Sequence, residues 1–258
     1  MVRMTTILRR RKAERAANLR FTNVEVAKPI SSAEAMKNVV CRSSRWRGSQ
    51  LLDGSLSAAA LLMLSPVLLM IGAAILVETG PPLLFTQVRV GREGKPFRLR
   101  KFRTMRRNQT GPSITAHGDS RITRVGRFLR KFKLDELPQL WNVMLGEMSL
   151  VGPRPEVPEF VDRSQPLWRS VLHVRPGLTD PASIAYRNEE ELLARASDPI
   201  RYYQETVLPA KLALNLEYLE KRSFWLDLKV MMQTAKCALF PRAFDINNIR
   251  VAAPNDSK

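Results

Sequence analysis

The sequence predicts a mainly helical α+β protein. Its parts are a membrane helix broken at Ser65-Pro66, a short β-hairpin and a cytosolic domain closed by C-terminal amphipathic helices. Three observations predict this. An uncharged run of 24 residues, Gly54–Val77, has the length of a helix that fills a bilayer's hydrocarbon layer. Two short runs rich in β-branched and aromatic residues follow, separated by Gly91-Arg92-Glu93-Gly94. From Glu189 onward apolar residues recur at three- and four-residue spacing.

Composition limits the functions open to such a chain. With 258 residues there is enough length for one sizeable domain and a real core. Cys41 and Cys237 are the two cysteines, too few for a disulfide scaffold or a cysteine-based zinc module, and His117 and His173 leave little room for a histidine metal site. The 42 Lys and Arg against 24 Asp and Glu leave a net charge of +18, which draws nucleic acid, anionic lipid or phosphorylated substrate. The excess is concentrated. Residues 1–50 carry a net +9 and residues 89–133 a net +13, with the uncharged run between them.

Residues 1–48 read as a basic N-terminal tail, weakly patterned, with ILRRRKAERAANLR able to form a short surface helix. Residues 49–80 form the membrane helix. Ser65-Pro66 at its centre removes a backbone donor and favours a break. Residue counts alone accommodate a Pro-kinked span as well as a re-entrant hairpin. The flanks favour re-entry, because Arg42, Arg45 and Arg47 on one side and Arg89, Arg92 and Lys95 on the other all belong on the cytoplasmic face. The run begins too far into the chain, and lacks a small-residue cleavage site, for a secretory signal.

Residues 81–240 read as the cytosolic domain and 241–258 as a C-terminal tail. LLFTQVRV (83–90) and PFRLRKF (96–102) make the hairpin, with a loop over Met105–Ser120. Residues 121–134 read as a helix with Ile122, Val125, Phe128, Leu129 and Phe132 on one face. A second helix begins at Asp135 and runs to Met148, while the proline-rich stretches 150–160 and 172–181 read as loops. Asp198 and Ser223 are expected helix N-caps, and Phe224, Leu228, Met231, Met232 and Ala235 an expected core face.

The chemistry is expected around Arg130, Asp135, Glu136 and Pro138. Asp135 as N-cap, with Pro138 in the first turn, would seat two adjacent carboxylates at a helix start. Such a pair in a strongly basic segment suits Mg²⁺ bound with phosphate, and a carboxylate can also attack phosphorus as a nucleophile. A lone Asp-Glu pair equally well just caps a helix.

The surrounding motifs change that balance. From about residue 48 to 240 the chain resembles the bacterial sugar transferases, the monotopic phosphoglycosyl transferases. The matching stretches are Asp53 at the head of the apolar run, Ser65-Pro66 within it, FTQVRVGREGKPFRLRKFRTM (85–105), LRKFKLDELPQLWNVMLGEMSLVGPRP (129–155) and RPGLTDPASIAYRN (175–188). The resemblance implies transfer of a sugar-1-phosphate from a nucleotide diphosphate sugar, expected to be a UDP-sugar, to polyprenyl (undecaprenyl) phosphate. The products are a polyprenyl-diphosphate-sugar and UMP, at the start of surface polysaccharide or glycoconjugate assembly. It further implies Mg²⁺ as cofactor, Asp135 as nucleophile, Glu136 as its metal-binding and catalytic partner, and Arg130, Arg154 and Arg187 as active-site arginines. Lys101 and Arg103 are further phosphate or headgroup contacts. Asp53, Ser65, Pro66, Pro153 and Pro155 carry structural roles, and Glu147 an internal pairing role. The broken helix is expected to re-enter the cytoplasmic leaflet of a bacterial inner membrane, in contact with anionic lipids.

The resemblance leaves the oligomeric state open, a homodimer included. It also implies a short form of the family. Many members continue the PGxT run with Gly and Trp, where this chain has Asp180-Pro181, which puts the sugar and the base in question. Two rival readings stand beside this one. A membrane-tethered nucleic-acid binder fits the charge but lacks a recognition motif, so no nucleic-acid partner is expected. A scaffold with a decayed site conflicts with intact Asp135, Glu136 and Arg154.

Overall fold

The computed structural model describes residues 49–106, 119–194 and 196–240. The tails expected over 1–48 and 241–258, and most of the loop after Met105, lie outside the described residues. Within them the protein is mainly helical with two small sheets.

Helix α1 (Ser49–Thr79) is the one described helix long and apolar enough to cross a membrane. Its most apolar stretch has a mean hydropathy of 2.6 and is only 17% buried, so it is not the core helix of a water-soluble fold. The expected break at Ser65-Pro66 does not interrupt it, since α1 is helical straight through Pro66. Pro66 cannot donate to the carbonyl of Leu62, four residues back. The Ser65 hydroxyl donates to that carbonyl instead, at 2.7 Å. A side chain thus fills the missing rung that a proline leaves in an apolar helix.

Both ends of α1 are fastened to the same domain. Near its start, Asp53 Oδ2 accepts a hydrogen bond from the Ser149 hydroxyl. Near its end, Ile71 and Ile75 pack with Phe102 and Leu129. There the Glu78 carboxylate accepts the backbone N–H groups of Arg124 (2.7 Å) and Val125 (3.0 Å). Arg103 is buried and its Nη2 donates to the carbonyls of Thr79 (3.1 Å) and Gly80 (2.5 Å). These carbonyls are the orphan acceptors of a helix C-terminus, which cations favour.

The hairpin follows the sequence expectation. β1 (Leu84–Val90) pairs antiparallel with β2 (Pro96–Phe102), from Leu84 opposite Phe102 to Val90 opposite Pro96. Its turn needs positive φ at Glu93 (57°) and Gly94 (75°), the latter open to glycine at no steric cost. Helix α2 (Arg124–Lys131) is shorter than the run 121–134, because the Thr123 hydroxyl caps it by accepting the Gly126 N–H at 2.8 Å. Val125 and Leu129 face α1, but Phe128 is exposed and stacks on Phe132 at 4.9 Å.

A second sheet went unforeseen. β3 (Ser149–Val151) and β4 (Gly177–Thr179) pair in parallel inside stretches read as loops. Helix α3 (Gln139–Met144) precedes β3, α4 (Pro166–Leu172) precedes β4 and α5 (Pro181–Ala185) follows it. A β-carbon on Gly152 or Gly177 would run into the other strand's backbone, so the two chains approach as only glycine allows.

The C-terminal helices are α6 (Glu189–Leu193), α7 (Pro199–Tyr202), α8 (Leu208–Lys221) and α9 (Phe224–Leu239). Asp198 and Ser223 cap α7 and α9 as expected, accepting the N–H groups of Arg201 (3.1 Å) and Leu226 (3.2 Å). The buried face of α9 is Val230 and Cys237 with Leu226 and Met231 beside them. Phe224 and Met232, expected in the core, are 61% and 65% exposed.

Candidate active site

Asp135 and Glu136 sit in one tight 3₁₀ turn, Leu134–Glu136, between α2 and α3. Lys133 enters that turn at φ 57°, so the chain reverses abruptly after α2. Asp135 is therefore not the N-cap of a long helix. Pro138 takes the cap position of α3, which ends at Met144 before Gly146 at φ 77°. Leu137 (φ −53°, ψ −37°) and Pro138 (φ −62°, ψ −15°) keep helical backbone between the acid turn and α3, and proline is tolerated at this early position because its missing N–H is not required there.

The two acids have opposite surroundings. Arg154 grips Glu136 with both prongs, Nη2 to Oε1 at 2.6 Å and Nη1 to Oε2 at 3.0 Å. Lys101 Nζ adds a third bond to Oε1 at 3.1 Å. Burial alone would raise the Glu136 carboxyl, but the charges of Arg154 and Lys101 override it and hold that carboxyl well below the usual range. The same pair drives Arg154 further up, while burial pulls Lys101 down.

Asp135 is buried, and its Oδ1 has no hydrogen-bond partner. Burial first, and the neighbouring Glu136 charge second, push its carboxyl up, against the opposing fields of Lys101, Lys133 and Arg130. One acid is thus clamped and fully ionised. The other is buried, unpaired at Oδ1 and more basic than an ordinary aspartate.

Distant segments build this arrangement. Asn142, fully buried on α3, donates to the Arg98 carbonyl at 2.8 Å and accepts from the Arg100 N–H at 3.2 Å. It thereby staples α3 to β2 and brings Lys101 to Glu136. Glu147 serves the same joint, accepting from Asn142 at 2.6 Å beside Arg100 at 3.4 Å. Arg154 comes from the Gly152-Pro153-Arg154-Pro155 loop after β3. Pro153 is fully buried, its carbonyl accepting the Gly177 N–H at 2.9 Å, and the Pro155 carbonyl accepts from Arg89 at 3.1 Å.

The structure brings Asp135, Glu136, Lys101 and Arg154 together, with Arg130 near enough for its charge to act on Asp135. Arg130 itself is paired with Glu190 of α6. Arg187 lies between α5 and α6 with Nη1 buried and unpartnered, and none of the described contacts joins it to the acids. Arg103 is committed to the end of α1. Sequence reasoning missed Lys133, Glu190 and the fully buried Asp180, which accepts the Arg154 N–H at 2.8 Å. The last was readable as a capping signal, since Asp-Pro-x-Ser places a cap, a proline at the first helical position and a serine N–H on the cap.

For a divalent cation the donor set is small. Among the described residues no cluster of three His, Cys, Asp or Glu exists. The free oxygen of Asp135 fits a hard cation whose remaining ligands are phosphate oxygens and water. Both Glu136 oxygens accept from cationic side chains, with Oε2 accepting a single bond from Arg154.

The bacterial sugar transferase family model matches residues 44–241. A UDP-glucose:undecaprenyl-phosphate glucose-1-phosphate transferase of Caulobacter vibrioides is 38% identical over 191 residues, covering 70% of this chain and 67% of that protein. A UDP-N-acetylgalactosamine-undecaprenyl-phosphate N-acetylgalactosaminephosphotransferase of Aeromonas hydrophila is 36% identical, covering 70% of this chain but only 41% of the relative. An uncharacterized sugar transferase of Bacillus subtilis is 34% identical, with 71% of this chain and 83% of the relative covered. Several of these relatives are thus much longer than the matched region. With the family model matching residues 44–241 and this chain covering 83% of a 34% identical sugar transferase, the chain belongs to the bacterial sugar transferases.

Proposed function

We propose that the protein transfers a sugar-1-phosphate from a UDP-linked sugar to undecaprenyl phosphate, releasing UMP, with Asp135 as nucleophile. The observation that carries this is the open, buried Asp135 carboxylate beside a Glu136 locked to Arg154 and Lys101. An Asp135 oxygen attacks the sugar-bearing phosphorus. The bond from that phosphorus to the bridging oxygen breaks, and the oxygen leaves with UMP. A lipid phosphate oxygen then attacks the same phosphorus, the acyl-phosphate bond breaks, and Asp135 returns as carboxylate.

Each residue's part follows from its surroundings. Raised basicity strengthens Asp135 as a nucleophile. Lys101, Lys133 and Arg130 offset the charge that two phosphate groups bring. Glu136 keeps Arg154 and Lys101 from collapsing onto Asp135, because it already satisfies both. Mg²⁺, held by the free Asp135 oxygen, would neutralise diphosphate charge. The names of the relatives, which differ in sugar, support the donor class without fixing the hexose.

Re-entry of α1 at the cytoplasmic face of the inner membrane is part of the same proposal. Attachment of both its ends to one domain supports a helix that enters and leaves one leaflet.

The test is UMP release by the purified full-length protein from a panel of UDP-sugars with undecaprenyl phosphate. Release by the wild type and none by Asp135→Ala is expected, together with a phosphosugar adduct trapped on the wild type. Full turnover in Asp135→Ala removes Asp135 as nucleophile, and silence across the panel removes the donor class. Cysteine labelling at positions 47 and 95 from opposite faces of the membrane would remove the re-entrant topology.

A further inference from the structure

We propose that Asp180 is a positioning residue for this site: its carboxylate fixes the backbone of Arg154 and thereby sets the two-pronged grip of Arg154 on Glu136. The inference rests on the function proposed above and deepens it.

Asp180 stands where β4 passes into α5 and is fully buried. A carboxylate withdrawn from water must find donors for its lone pairs. Asp180 finds three, each from a different segment. Oδ1 accepts the Ser183 N–H and so caps α5. Oδ2 accepts the Arg154 N–H at 2.8 Å and Asn215 Nδ2, from α8, at 3.1 Å. Beside this knot the Gly152 N–H donates to the Thr179 carbonyl at 3.0 Å. Val151 and Thr179 are partners in the β3–β4 register, so Asp180 sits one step beyond the last pair, in reach of the loop that carries Arg154.

The consequence runs through one residue. Arg154 receives Asp180 on its N–H and hands its guanidinium to both oxygens of Glu136. The bidentate geometry has little slack, because both prongs must meet one planar carboxylate. Glu136 is adjacent to Asp135, so a displaced Arg154 shifts the charge that the nucleophile feels. Asp180 touches neither acid and acts only through Arg154.

The experiment compares wild type, Asp180→Asn, Arg154→Ala and the double variant in the UMP-release assay, with hydrogen exchange of the 152–156 segment measured in parallel. Asn keeps the volume and an oxygen for capping α5, but cannot accept from all three donors. The expected result is a 10- to 100-fold loss of kcat with KM for both substrates within about threefold, the order that small misplacements cost. Exchange at Arg154 should accelerate, and the double variant should be no slower than Arg154→Ala alone. Losses that multiply in the double variant, or an Asp180→Asn protein within twofold of wild type, overturn the inference.

Should Asp180→Asn fail to fold, Asn215→Ala carries the test, since it removes one donor and leaves the cap intact. A kcat loss absent from the Arg154→Ala background is the supporting result, and an independent loss or none overturns it. The two proposals separate cleanly. A wild type without UMP release removes the function, whereas unchanged exchange at Arg154 in the Asp180→Asn protein removes the positioning role.

Discussion

Replacing Asp135 with Asn should stabilise the protein while abolishing its turnover. Burial and the charge of Glu136 both penalise ionised Asp135, and its Oδ1 has no hydrogen-bond partner. Asparagine keeps an acceptor there but removes the charge, and relief of that buried charge is taken as about 1–3 kcal/mol. For a domain of this size that converts to about 2–4 °C per kcal/mol, so Asp135→Asn should melt roughly 2–12 °C higher at neutral pH. The pH dependence has a definite sign. The folded-state pKa of Asp135 lies above its unfolded value, so the folded state holds the proton more tightly. Stability is then unreduced below the unfolded pKa, near 4, and falls as pH rises through the folded value. The advantage of Asn over Asp should therefore shrink as pH is lowered from 7.5 toward 4. Thermal melts of the detergent-solubilised protein across that range read the effect, alongside UMP release reduced by about 10⁴-fold or more. A variant that melts at or below the wild type at pH 7.5, or whose advantage is constant with pH, would refute the reading of Asp135 as a destabilised nucleophile.

Glu136→Gln leaves Arg154 and Lys101 without a counter-charge in a mostly buried site. A loss of about 3–5 kcal/mol is expected, seen as a lower urea midpoint at unchanged slope. Because the Glu136 pKa is depressed, its contribution is present above the unfolded value and lost as pH falls through the folded one; the variant should lack that acid loss. The acid limb of kcat should lie above the range of an ordinary aspartate, and a limb near pH 4 or below would count against a raised Asp135. Arg103→Ala uncaps the end of α1 and should speed amide exchange around Gly80 with KM unchanged; a tenfold rise in KM for the lipid would make Arg103 a substrate contact instead.

Much of this was legible in the sequence because the signals are local. The apolar run, the GREG turn and the caps at Asp198 and Ser223 each depend on residues within a few positions. The acid pair was legible as chemistry but not as geometry. Its turn is set by Lys133, which takes the cap position at positive φ two residues before Asp135, a backbone reversal that a lysine does not advertise in the sequence. The β3–β4 sheet was hidden because each strand is three residues long beside prolines, and only their pairing across 28 positions makes them strands. The uninterrupted course of α1 through Pro66 was missed for a local reason. Serine before the proline was read as part of the break, whereas its hydroxyl repairs it. Phe224 and Met232 followed the helical period but lie on the outer side of α9, because periodicity gives a face and not what covers it.

If the proposed function holds, the double fastening of α1 governs how the protein meets a lipid substrate. A catalytic body joined to its anchor by a linker swings and samples many heights. Here the anchor is bolted down at Asp53 and again at Glu78 and Thr79, so body and anchor tilt together or not at all. On that function every molecule would carry its acid turn at a single elevation, and a lipid-borne phosphate would find it by lateral travel alone.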